Sequence, residues 1–122
     1  MQLDKTQLGT IMAIHHARPG ELIDLASWPH DVTPGQSHTL INTDNLTVAR
    51  LVLEKDKTIK EHQVPDPIVI HCISGRFELT TSRARQVLTA GQLVYLPGDD
   101  PHALTAMDDT IVLLTIAGTG QI

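Results

Sequence analysis

Residues 91–106, "GQLVYLPGDDPHALTA", decide how the chain is read. A short apolar run, Leu93 to Leu96, stops at Pro97-Gly98-Asp99-Asp100-Pro101, and a second β-type run, "HALTA", begins at His102. Proline cannot donate to a ladder and glycine relaxes the backbone, so this segment reads as strand, sharp turn, strand, with His102 opening the second strand. On either side, similar segments recur between Gly, Pro, Asp or Ser: "HTLI", "LTVARLVL", "IVIHCI", "RFELT" and "TIVLLTI". The pattern is all-β. No window holds three or four turns of helical periodicity, although "GELIDLASW" has room for a short helical turn.

In "LTVARLVL", Val48, Arg50 and Val52 share one face and Ala49, Leu51 and Leu53 the other. Both faces are mostly apolar, as expected of a strand covered on two sides in a sandwich or barrel that also meets another sheet, in the same chain or in a second subunit. If Val48 and Val52 look inward, Arg50 joins them and can clamp a carboxylate or phosphate; otherwise it sits at an interface, the placement preferred here.

Composition narrows the function classes. A chain of 122 residues suits one domain. Its net charge of −5 gives no attraction for a phosphate backbone or an anionic membrane. With Trp28, Phe77 and Tyr95 as the only aromatic residues, stacking platforms for bases or sugar rings are scarce and the core must be aliphatic. The single cysteine, Cys72, has no intrachain disulfide partner, the N-terminus lacks the apolar run of a secretory signal, and no apolar run has the length of a membrane span. These features place the protein in the cytoplasm, with neither nucleic acid nor membrane as partner. Residues 1–45 read as an N-terminal segment with extra strands, interrupted by Pro19, Pro29 and Pro34. Its Ile11, Ile14, Leu22, Ile23 and Leu25 imply that it packs on the barrel or a dimer partner, leaving 46–122 as the core.

The 91–106 stretch resembles the second motif of the cupin superfamily, G-x5-P-x-G-x2-H-x3-N, through Gly91, Pro97 and His102. Asp99 stands at the second glycine and Ala106 at the asparagine. The first motif, G-x5-H-x-H-x3-4-E-x6-G, laid on Gly75, puts Asp56 at its first glycine, His62 at its first histidine, Val64 at its second and Ile68 at its glutamate. The resemblance spans about residues 46–116, with a gap of fifteen residues between Gly75 and Gly91 like that of small RmlC-like cupins. It implies a double-stranded β-helix (jelly-roll) barrel and a homodimer. In cupins the two histidines, the glutamate and the second-motif histidine bind a metal ion, and two of those four positions survive here, His62 and His102.

A mononuclear catalytic site normally takes about three protein ligands, so this set is incomplete. The cofactor expectation is therefore none, or a weakly held divalent transition metal on His62 and His102. Asp66, between Pro65 and Pro67, is a candidate further ligand but reads more simply as a turn residue. The expected pocket is lined by His62, Val64, Ile68, Ile70, Cys72, Tyr95, His102 and Leu104. By alternation Glu61, Gln63 and His71 point away from it, and Cys72 reads as a packed hydrophobe. His15, His16, His30 and His38 read as solvated or as dimer contacts, because adjacent His15 and His16 diverge on an extended chain.

Four functions compete. A small-molecule-binding cupin without a full metal cage comes first. A metal-dependent enzyme of dioxygenase or isomerase type, using His62 and His102, comes second. Metal-free acid–base catalysis with His62 or His102 as base and Tyr95 as a candidate acid, and a purely structural domain, follow.

Overall fold

The computed structural model describes residues 16–28, 33 and 35–118. Ile11, Ile14, His15, Pro29, His30 and Pro34 lie outside the described residues. Nine strands are described: β1 (His38–Asn42), β2 (Leu46–Leu53), β3 (Thr58–His62), β4 (Ile68–Ser74), β5 (Arg76–Thr81), β6 (Arg85–Thr89), β7 (Leu93–Leu96), β8 (His102–Ala106) and β9 (Thr110–Ala117). They form two antiparallel sheets, β1-β2-β9-β4-β7 and β3-β8-β5-β6, the layout of a jelly-roll barrel. Among the described residues no helix is long and apolar enough to cross a membrane.

Strict alternation builds the interior. On β4, Ile68, Ile70 and Cys72 are buried while Val69, His71 and Ile73 are only partly covered, and β9 repeats this with Val112, Leu114 and Ile116 inside. On β2 the inward set is Thr47, Ala49, Leu51 and Leu53, so Arg50 looks out of the barrel. Phe77, the one aromatic side chain of the core, and Leu79 on β5 close it from the other sheet together with Leu104 and Ala106 on β8. β1, from the N-terminal segment, extends the larger sheet by pairing with β2.

One expectation about local structure needs correction here. The stretch 20–28 forms turns instead of a helical turn: Asp24 accepts the Ala26 amide through Oδ1 at 2.9 Å and the Ser27 amide through its carbonyl at 3.3 Å. An aspartate bonding its own downstream amides competes directly with helix formation. Strand β6, "RQVLT", carries no apolar alternation because Leu88 alone is buried on this edge of the smaller sheet.

Turn chemistry fixes the ends of the strands. Gly75 and Gly91 have φ of 80° and 89°, in the left-handed region that favours glycine. Asp56 and Asp99 stand in the same region, at 71° and 65°. Asp99 donates its amide to the Val64 carbonyl at 2.6 Å, tying the β7–β8 turn to the loop after β3.

Candidate functional site

His62 ends β3 and His102 opens β8, and the two are direct cross-strand partners. Ile59 pairs with Leu104 inside the barrel, so regular alternation would turn residue 61 inward and His62 outward. The register shift between Ile59 and His62 supplies one extra residue and aims His62 inward beside His102. The ring centroids lie 4.4 Å apart with planes inclined at 56°. Both rings line one cavity of about 30 Å³ with Leu51, Ile59, Ile70, Leu104, Val112 and Leu114.

The two rings are oriented alike. His62 Nδ1 lies 3.0 Å from the Lys60 carbonyl oxygen and His102 Nδ1 lies 2.9 Å from that of Asp100. A carbonyl only accepts, so each Nδ1 carries the hydrogen, and in the neutral imidazole Nε2 is the bare acceptor. Burial drives the His102 pKa below the ordinary histidine value; His62 pushes the same way, while the Asp100 carbonyl and carboxylate oppose it. His102, only 5% exposed, is thus held neutral. Asp100 itself is kept below the usual carboxylate range, first by its hydrogen bond to the Ser82 side chain, then by the Ser82 amide, Arg83 and His102, against its own burial.

Of the residues expected in the pocket, His62, Ile70, His102 and Leu104 line the cavity. Val64, Ile68 and Cys72 are buried in the core around it. Cys72 Sγ lies 3.6 Å from the Ser74 carbonyl and 3.5 Å from that of Gly75, and burial pushes its thiol pKa up, the setting of an inert packed cysteine. Tyr95 belongs elsewhere: it pairs with Val69 on the outer face and is 62% exposed, beside a shallow depression with Pro67 and Thr115. Strand parity explains this, since Leu96 and not Tyr95 is the buried residue of β7. Tyr95 is therefore no acid partner for the two histidines. Leu51, Ile59, Val112 and Leu114 were missed as lining residues, although the Ala49-Leu51-Leu53 face of β2 already held the signal for Leu51.

The donor set does not fit a complete mononuclear metal cage. Among the described residues no group of three or more His, Cys, Asp or Glu side chains converges. Asp66 does not join the pair; its carboxylate packs against Gly118, just after β9. Buried Val64 and Ile68 stand where the first motif would carry its second histidine and its glutamate.

The family described as Cupin domain matches residues 49–117, more than half of the chain. The chain belongs to the cupin family. Among solved structures, this cupin is similar to a conserved protein of unknown function from Streptococcus pyogenes, at 26% identity over 86% of this chain and 93% of that one, with a TM-score of 0.68. It is similar in fold to KdgF from Halomonas sp., at 20% identity over 78% of this chain and 91% of that one, TM-score 0.66. It also shares the fold of Bacillus subtilis oxalate decarboxylase, a protein with Mn(II) centres, at 19% identity over 66% of this chain but 23% of that one, TM-score 0.60. Comparison with curated proteins gives no match.

Proposed function

We infer that this cupin is a small-molecule-binding protein whose ligand presents hydrogen-bond donors to His62 and His102, without a full metal cage. The observation that carries the reading is the pair of rings 4.4 Å apart, each with Nδ1–H engaged by a backbone carbonyl and Nε2 left as acceptor, in an otherwise aliphatic cavity. Two acceptors in an apolar setting suit hydroxyl or amine donors and disfavour anions, because an unmatched buried polar group is costly. At about 30 Å³ the cavity has room for one or two waters, so it takes the polar head of a ligand while the remainder stays at the mouth, where His62 is partly exposed.

The second reading is a metal-dependent cupin enzyme of dioxygenase or isomerase type. In its favour, an imidazole whose Nδ1–H is held by a carbonyl is the usual arrangement of a metal-ligating histidine. Against it stand the two missing ligand positions. The full reading also has the protein as a cytoplasmic homodimer, consistent with the lone buried thiol and with Leu93 and Tyr95 exposed on the outer face.

Histidine ring resonances followed by NMR separate the two. Titration with 1,2-propanediol is expected to shift the signals of both rings, with Zn²⁺ and Ni²⁺ bound below stoichiometry in protein purified without chelator. A stoichiometric ion that is lost in the His62→Ala, His102→Ala double variant would replace this reading with the metalloenzyme.

A further inference from the structure

A second cavity, of about 280 Å³, lies outside the barrel between the outer face of β1–β2 and the segment before β1. Arg50 is its most telling wall. Alternation on β2 sends Leu51 into the barrel and Arg50 out, yet Arg50 is only 2% exposed because residues of the 17–28 stretch cover it. Its Nη1 donates to the Ser27 carbonyl at 2.9 Å, and its guanidinium carbon sits 4.4 Å from the centre of the Trp28 ring. Nε and Nη2 are both buried and have no hydrogen-bond acceptor among the described residues.

Those two nitrogens form one edge of the planar guanidinium. Their N–H bonds run parallel, at the spacing of the two oxygens of a carboxylate. The indole covers one face of the cation and the Ser27 carbonyl takes Nη1, so neither meets the hydrogen-bonding demand of the Nε–Nη2 edge. Burial lowers the Arg50 pKa, with Asp24 partly offsetting it, but a guanidinium keeps its charge. Leu22, Ile23 and Leu40 supply apolar wall around the fork. Glu21 and Asp24 also line the cavity and repel an anion in proportion to its charge, so a monoanion held by the Arg50 fork is preferred over a phosphate dianion.

We propose that this outer cavity binds a small aliphatic monocarboxylate, with the carboxylate bridging Nε and Nη2 of Arg50 and the tail against Ile23, Leu40 and Trp28. This site is separate from the barrel cavity, and its occupancy does not depend on what the two histidines do.

Trp28 is the only tryptophan and touches the guanidinium, so its fluorescence reports directly on the site. The full chain is titrated with isobutyrate, isobutyramide and inorganic phosphate. The expected result is a saturable emission change with isobutyrate at millimolar concentration, none with isobutyramide, and a weaker response to phosphate. Arg50→Lys keeps a charge but loses the fork, and is expected to weaken isobutyrate binding about tenfold or more. Should that variant fail to fold, the Arg50 Nε–H resonance of the wild-type protein is followed instead and is expected to move with isobutyrate. No saturable response in the wild type, an equal response to isobutyramide, or unchanged affinity in folded Arg50→Lys would overturn the proposal. So would phosphate binding as tightly as isobutyrate, or an emission change that follows protein dilution instead of ligand, which would mean that a second chain fills the fork.

Discussion

Asp56 and Asp99 occupy the positions at which the two cupin motifs carry glycine, and both keep the left-handed backbone that glycine would adopt, with φ of 71° and 65°. Both turns thus place a side-chain-bearing residue in a backbone region that favours glycine. Aspartate tolerates this region better than most residues, but a side chain there still costs about 1–2 kcal/mol, against about 0.5–1 kcal/mol of extra chain entropy lost by glycine. Asp99→Gly is therefore expected to raise unfolding stability by up to about 1 kcal/mol, read as a higher urea midpoint at unchanged m. A lower midpoint would show that the Asp99 side chain earns its place through contacts. His102 makes the complementary case. Its native pKa is depressed, chiefly by burial, so between the unfolded value of about 6.5 and the lower native one the unfolded chain binds more protons. Stability from the neutral ring is complete above that window and is lost as pH falls through it. Thermal melts are expected to show a falling Tm between about pH 7.5 and 5.5 that is flattened in His102→Gln. An unchanged slope in that variant would assign the effect to other groups.

At the scale of elements, two loops and one bulge hold the histidine pair. The bulge before His62 turns that ring inward, and the Asp99 amide on the Val64 carbonyl fastens the turn before His102 to the loop after His62. Gly98 sits in this clasp, where an added Cβ would run into the Pro65 carbonyl oxygen, a backbone atom that cannot swing aside. Gly98→Ala is expected to cost about 1–3 kcal/mol by overpacking and to alter both histidine ring resonances, although residue 98 touches neither ring. A normal melt with unchanged ring signals would mean that the clasp is slack. These elements also show how far the sequence could be read. Strands β2 and β8 were visible to the residue as "LTVARLVL" and "HALTA", because buried faces impose alternation. Strands β3 and β6, the edges of the smaller sheet, bury one residue fully apiece, and so only His62 hinted at the first and nothing marked the second. The pairing of His62 with His102 followed from the resemblance, but the bulge that enables it leaves no trace in "TIKEH". Tyr95 was misplaced for a related reason: "LVYL" is apolar at almost every position, so parity within it is ambiguous until Leu96 is seen to be the inward residue.

At the scale of the whole molecule, the two faces of the larger sheet have different fates. The inner face closes the barrel, whereas the outer face is covered at the β1–β2 end by the chain's own 17–28 stretch and left open at the other. There β7, an edge strand, exposes Leu93 by 58% and Tyr95 by 62%, next to partly covered Val69, Leu113 and Thr115. Large apolar side chains grouped on a flat sheet are seldom left to water in a monomer, and an edge strand beside them is a template for pairing. A two-fold contact through this end would bury both features at once, since the same patch meets itself across the axis. The proposed homodimer therefore makes a definite demand on Leu93 and Tyr95. Leu93→Glu combined with Tyr95→Lys is expected to shift the sedimentation mass from dimer to monomer while the melt of the isolated barrel changes little, because neither side chain is in its core. A wild-type protein that sediments as a monomer at micromolar concentration would remove the dimer. A dimer that survives both substitutions would move its contact to the β1–β2 end, where Arg50 and Trp28 would lie at the joint.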